Sequence, residues 1–138
     1  MSYEAVYEAD SNVFRNYESK YFTQKDFACG CGKCDKSDIL PNVRLVELLD
    51  GVSEYFDKPI TINSGIRCPA YNKAVGGASK SEHMYGEAAD IVVKDVPPSK
   101  VYEFIEKNYA DFNGGIGLGS YDRWTHVDVR GHTSRWKG

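Results

Sequence analysis

The chain has 138 residues, of which 41% are hydrophobic and 27% charged, with a formal net charge of −3. That length suffices for one domain with its own core and is short for two, and the composition is that of a globular chain rather than a disordered one. The negative charge argues against a nucleic-acid partner, and no apolar run approaches the ~20 residues that cross a bilayer.

Residues 1–19 mix aromatic and charged side chains without a period, so they are expected to form a loosely held N-terminal segment ahead of a single domain over 20–138. The opening stretch, Met1 to Glu8, lacks a basic region and an apolar run, so no secretory signal is visible. Thr23 ahead of Gln24, Lys25 and Asp26 reads as the cap and first turn of a short helix. A Gly/Cys loop follows, with Cys29, Cys31 and Cys34. Pro41 then opens a helix over 41–56, because Leu45, Leu48, Leu49, Val52, Tyr55 and Phe56 recur at helical spacing. Ile60 and Ile62 alternate with Thr61 and Asn63, which predicts a short strand ending at Ser64-Gly65. Pro69 opens a short helix that Gly76-Gly77 closes.

Residues 88–93 read as a strand, and Pro97-Pro98-Ser99 leads into a helix through about Asn108. Gly114 to Gly119 is a glycine-rich strand or strand edge, and Trp124 to Arg130 is a final strand. Helices early and strands mostly later predict an α+β fold, with helices flanking a small, mostly antiparallel sheet.

The chemistry lies in this second half. Alternation along the first of the two later strands puts Ala88, Asp90 and Val92 on one face. A carboxylate among apolar neighbours needs a partner, because burying a lone charge is costly. Along the second, alternation groups Trp124, His126, Asp128 and Arg130, opposite the apolar Thr125, Val127 and Val129. If the strands are neighbours, Asp90 and His126 meet, and His83 arrives from the preceding loop. Taken one at a time, such residues are more often structural. Together, two imidazoles and one carboxylate with an open fourth position make the ligand set of a catalytic zinc.

The pattern Ser81-x-His83-x-x-Gly86-x-Ala88-x-Asp90, followed by Trp124-x-His126-x-Asp128, resembles the M15 metallopeptidases. These are zinc D-Ala-D-Ala carboxypeptidases and related peptidoglycan endopeptidases, akin in fold to lysostaphin-type enzymes and the hedgehog signalling domain. Upstream, Lys58-Pro59-Ile60, Ser64-Gly65-x-Arg67, Tyr71-Asn72 and Gly76-Gly77 extend the resemblance to roughly residues 22–136. It implies a hedgehog-like peptidase fold and zinc ligands at His83, Asp90 and His126. It implies that Arg67 binds the substrate's carboxylate or the scissile carbonyl oxygen. An ion pair from Arg67 to Asp90 or Asp128 is the structural alternative. Ser81 either hydrogen-bonds substrate or holds its loop.

One departure stands out. Many relatives place a histidine two residues before the last ligand, or an acid three before it, as general base. Here those positions are Trp124 and Arg123, which cannot accept a proton from water. Asp128 is the residue on the right face, either as the base or as a hydrogen-bonding orienter of His126; Glu82 and Glu87 flank the motif as the remaining carboxylates.

The four cysteines, Cys29, Cys31, Cys34 and Cys68, admit a closed four-thiolate zinc, one or two disulfides, or reduced and partly buried thiols. Reduced thiols are the expectation, with a second, structural zinc set behind it. His132 reads as a surface residue. The leading function is hydrolysis of a peptide bond in peptidoglycan stem peptides or their precursors, by one zinc in a monomer. The chain is expected in the cytoplasm, or as a phage or prophage product released to the cell wall. The competing function is an inactive, zinc-holding binding module, which the missing base at Trp124 favours.

Overall fold

The computed structural model describes residues 7–31 and 39–138. Residues 1–6 and Cys34 lie outside the described residues. Two short strands, β1 (Val13–Phe14) and β2 (Tyr17–Glu18), form an antiparallel hairpin. Phe14 is fully buried and meets Phe27 edge-to-face at 5.6 Å, so this part of the N-terminal segment packs on the same core as the rest. The first helical turn, Gln24–Phe27, is a 3-10 turn in which the Asp26 carboxylate accepts the Thr23 backbone N–H at 2.8 Å.

Helix α1 spans Val43–Phe56. It starts two residues later than Pro41 suggests, because the Asn42 side chain caps it by accepting the Arg44 N–H at 2.8 Å. Leu45, Leu48, Leu49 and Val52 on its inner stripe are fully buried, each burial contributing about 1.5–3 kcal/mol. Strand β3 (Ile60–Ser64), helix α2 (Pro69–Ala74), strand β4 (Ala88–Val93) and helix α3 (Pro98–Tyr109) follow close to where the patterning puts them.

The C-terminal third departs from expectation. Residues 112–114 form a 3-10 turn, and strand β5 covers Gly117–Ser120. Strand β6 is shorter than expected, Thr125–Asp128, and a further strand, β7 (Ser134–Lys137), pairs in parallel with β5. The main sheet therefore has the order β3-β4-β6-β5-β7 and is antiparallel except for that last pair. The fold is α+β. No helix among the described residues is long and apolar enough to cross a membrane.

The sheet has two unlike faces. Ala89, Ile91 and Val93 of β4, Leu118 of β5 and Val127 of β6 join α1 and α3 in the core. The opposite face carries Asp90, His126 and Asp128. In the β4–β6 ladder Asp90 stands directly across from His126, and Ala88 across from Asp128.

Candidate metal centre and cleft

His83 comes to the sheet from a 3-10 turn, Glu82–Tyr85. Ser81 caps that turn, its hydroxyl accepting the His83 N–H at 3.2 Å, and Gly86 ends it in the left-handed region (φ 71°). His83 Nδ1 lies 2.7 Å from the Gly65 carbonyl oxygen. A carbonyl only accepts, so Nδ1 carries the proton and Nε2 keeps its lone pair. That Nε2 faces Asp90 Oδ1 at 3.3 Å.

His126 is fixed the same way by different means. Its Nε2 lies 2.8 Å from Asp128 Oδ2 and its Nδ1 3.0 Å from Asp90 Oδ1. Burial pushes the Asp128 pKa up, but hydrogen bonds from Arg130 and His126 overcome this and hold it well below the usual carboxylate range. Asp128 is therefore ionised, and Nε2–H donates to it. Asp90 behaves alike: burial opposes its charge, and the two imidazoles win and keep it ionised.

The three donor atoms, His83 Nε2, Asp90 Oδ1 and His126 Nδ1, all lie within 4.8 Å of one another. Tetrahedral zinc with bonds of about 2.0–2.1 Å puts neighbouring donors about 3.3 Å apart, and Asp90 Oδ1 stands 3.0 and 3.3 Å from the two nitrogens. Two lone pairs and a carboxylate oxygen at such distances repel unless positive charge sits among them. Burial lowers the pKa of His126, yet its hydrogen bonds to Asp128 and Asp90 raise it overall. The donor set fits a small divalent cation.

Arg67 takes the other half of Asp90. Its Nη2 donates to Oδ2 at 3.2 Å, while Nε donates to Ser64 Oγ at 2.9 Å and Nη1 to Asn72 Oδ1 at 3.2 Å. The ion pair is thus the one with Asp90, and its effect is to turn Oδ1 toward the imidazoles. Gly77 makes the arrangement possible by its small size: a Cβ there would stand 2.1 Å from Asn72 Oδ1 and 2.9 Å from Arg67 Nη1.

Asp128 sits beside His126 as strand alternation predicts, but on the ring nitrogen that points away from Asp90. It is fully buried. Its Oδ1 accepts from the Gly117 N–H (3.1 Å), the Arg130 N–H (3.2 Å) and Arg130 Nε (2.8 Å), and its Oδ2 from Arg130 Nη2 (2.7 Å) and His126. Five donors leave neither oxygen turned toward the donor set.

The trio lines the floor of a cleft of about 470 Å³, whose walls include Arg67, Ser81, Glu82, Trp124, Arg130 and Trp136. Trp124 stacks on Tyr121 with ring centroids 4.7 Å apart, and Trp136 Nε1–H donates to the Tyr121 hydroxyl at 2.9 Å. Trp136 also leans over His126 at 4.9 Å. Its strand is too short and too polar to show in the sequence; the available signal is Gly119, where a Cβ would collide with the Trp136 indole. His132 is exposed. Cys29, Cys31 and Cys68 come together elsewhere, beside the loop that carries Arg67.

Two comparisons with known proteins bear on the cleft. The sequence model described as Peptidase M15 matches residues 20–128. A 35-residue stretch is 63% identical to the zinc D-Ala-D-Ala carboxypeptidase of Streptomyces albus G, covering 25% of this chain and 14% of that protein.

Proposed function

The chain belongs to the peptidase M15 family, and from that premise we propose that it is a zinc-dependent peptidase that cuts a peptide bond in peptidoglycan stem peptides or their precursors. The observation that carries the proposal is the convergence of His83 Nε2, Asp90 Oδ1 and His126 Nδ1 on one point of the cleft floor. The activity for which the Streptomyces relative is named supports the substrate class. Residues 20–138 then form one monomeric domain of the hedgehog and lysostaphin type.

His83, Asp90 and His126 hold the zinc, which when bound supplies Lewis acidity toward a carbonyl oxygen and toward water. Arg67 has five N–H donors, of which three are engaged by Ser64, Asn72 and Asp90. The remaining two are available to a substrate carboxylate or a developing oxyanion. Asp128 acts as a positioning residue: it fixes the tautomer and tilt of His126 and takes no proton from water. That leaves Glu82, the other carboxylate among the described residues lining the cleft, to accept the proton. Ser81 holds the His83 turn, and the Tyr121–Trp124 stack forms an apolar wall for the peptide.

Zinc-loaded protein incubated with purified peptidoglycan, and with peptides ending in D-Ala-D-Ala, tests the proposal, with products read by mass. Free D-alanine identifies a carboxypeptidase, and internal fragments identify an endopeptidase. Retention on peptidoglycan without any cleavage refutes catalysis and favours the binding module, a reading that the engaged state of Asp128 keeps in view. Glu82→Gln should retain zinc and lose most turnover.

A further inference from the structure

We propose that Cys29, Cys31 and Cys68 form a second, structural zinc site that ties the segment after the first 3-10 turn to the loop carrying Arg67. The reading is independent of what the cleft does. The sequence favours simple reduced thiols because its spacing, Cys29-x-Cys31 with Cys68 far downstream, closes no familiar count. Folding changes that: the three sulfurs lie within 4.8 Å of one another.

The distances select among the chemical states. Cys31 Sγ and Cys68 Sγ are 3.8 Å apart, nearly twice the length of a disulfide bond of about 2.05 Å. Tetrahedral zinc with Zn–S bonds of about 2.3 Å sets its sulfurs about 3.8 Å apart. The two sulfurs, which as thiols share a hydrogen bond, are therefore not a bonded pair and already stand at the spacing of two corners of a tetrahedral metal site.

Two backbone N–H groups face the sulfurs. The Cys68 backbone N–H donates to Cys29 Sγ at 3.4 Å, and the Tyr71 N–H donates to Cys68 Sγ at 3.4 Å. Hydrogen bonds to a sulfur stabilise its charged form, and metal binding releases the thiol protons to solvent. Cys29 is buried and the other two are half-buried, so the site is partly shielded without being sealed. Gly30, between the first two, lies against Tyr71, where a Cβ would stand 3.0 Å from the hydroxyl. The strands of chain are already aligned: the Ile66 N–H donates to the Phe27 carbonyl at 2.9 Å, one residue before Arg67. A metal on Cys68 fixes the backbone immediately after Arg67, and so the base from which that guanidinium reaches Asp90. A further thiolate or a water would complete the four ligands of such a site.

The test needs no substrate. The full chain, purified under reducing conditions with zinc supplied, should carry two zinc ions; His83→Ala and Cys68→Ser should each carry one. Cobalt(II) exchanged into the unmodified chain should give a sulfur-to-cobalt charge-transfer band in the near ultraviolet. The His/Asp site has no sulfur and cannot produce it, so this readout stands even where a variant fails to fold. The band should vanish on alkylation of the thiols. One zinc in the unmodified chain with no such band overturns the proposal. So does an intact mass lower by two hydrogens in protein kept under reducing conditions, with peptide mapping that finds Cys29, Cys31 or Cys68 in the disulfide.

Discussion

Asp128→Asn separates orienting from proton transfer more cleanly than any other single change. The side chain keeps its shape, but an amide has one accepting oxygen where the carboxylate has two. With the oxygen kept at the Oδ1 position for Gly117 and Arg130, the amide nitrogen faces His126 Nε2–H and Arg130 Nη2, both donors. Two hydrogen bonds at a fully buried site are lost, and Arg130 loses its anion. Breaking a buried charged pair in this way costs about 3–5 kcal/mol of stability, roughly 10–15 °C in melting temperature for a domain of this size. His126 also loses what fixes its tautomer, and loss of such a partner lowers metal affinity about 10–100-fold, or about 1.4–2.7 kcal/mol. Zinc competition against a chelator at fixed pH measures the affinity, and turnover at saturating zinc measures the chemistry. The expected result is weaker zinc binding with turnover largely restored once zinc is saturating. Unchanged affinity with turnover abolished at full occupancy would refute the reasoning and return Asp128 to the role of base.

Arg67→Ala should leave the fold intact and reduce turnover by about 10²–10³, the effect of losing one charge-assisted donor in a polarising site; Arg67→Lys should recover only part, since a point charge cannot serve Ser64, Asn72 and Asp90 together, and steady-state kinetics with bound zinc measured in parallel checks both. Gly77→Ala forces Asn72 and Arg67 aside, because its Cβ would lie 2.1 Å from Asn72 Oδ1; it should destabilise by about 1–3 kcal/mol in chemical denaturation and lower turnover as Arg67→Ala does. Glu87 has its pKa raised from 4.5 to about 7 by burial first, then by a hydrogen bond with Glu82 and the charges of Glu82 and Asp128. Its proton is held more tightly folded than unfolded, so stability falls as pH rises from about 4.5 to 7 and stays reduced above. Glu87→Gln should raise the melting temperature at pH 8 by about 1–3 °C, solvent screening of this half-buried group keeping the effect small, and leave it nearly unchanged at pH 4; equal shifts at both would count against the assignment.

Much of the sheet's active face was legible because strand alternation is a local property. Asp90 with Ala88, and His126 with Asp128, follow from period two alone, and apolar Ile91 and Val127 on the reverse side say which face meets the helices. What the period cannot supply is direction within a face. Asp128 shares a side with His126, yet which ring nitrogen it meets depends on Arg130 and the Gly117 N–H, contributed by residues beyond the motif. The Arg67 alternatives stayed open in sequence for a similar reason, since the choice between substrate and Asp90 turns on Ser64 and Asn72 holding the guanidinium in place. Strand β7 was hidden because Ser134, Arg135, Trp136 and Lys137 show no apolar alternation. Its evidence lies in its neighbour, where Gly119 leaves room for the Trp136 indole. The cysteines were hidden by distance along the chain: Cys68 meets Cys31 only after the strand next to the first 3-10 turn brings 37 residues of separation to nothing.

The charge arrangement of the cleft links these placements to chemistry. The two buried carboxylates of this sheet face each have their own guanidinium, Asp90 with Arg67 and Asp128 with Arg130. On the wall, Lys80 and Glu82 carry opposite charges. With both imidazoles neutral, as metal ligands must be, the donor set and its supports therefore sum to zero. A divalent cation held there would keep its double charge uncompensated by these groups, whereas a set with an unpaired aspartate would cancel half of it. Low dielectric on the cleft floor enlarges the effect. The potential thus has the sign that draws a terminal carboxylate or stabilises an oxyanion, and the two free Arg67 donors point to the same ligand. Removing the positive charge at Arg67 weakens both at once, which is why its loss should cost rate even when the metal stays bound.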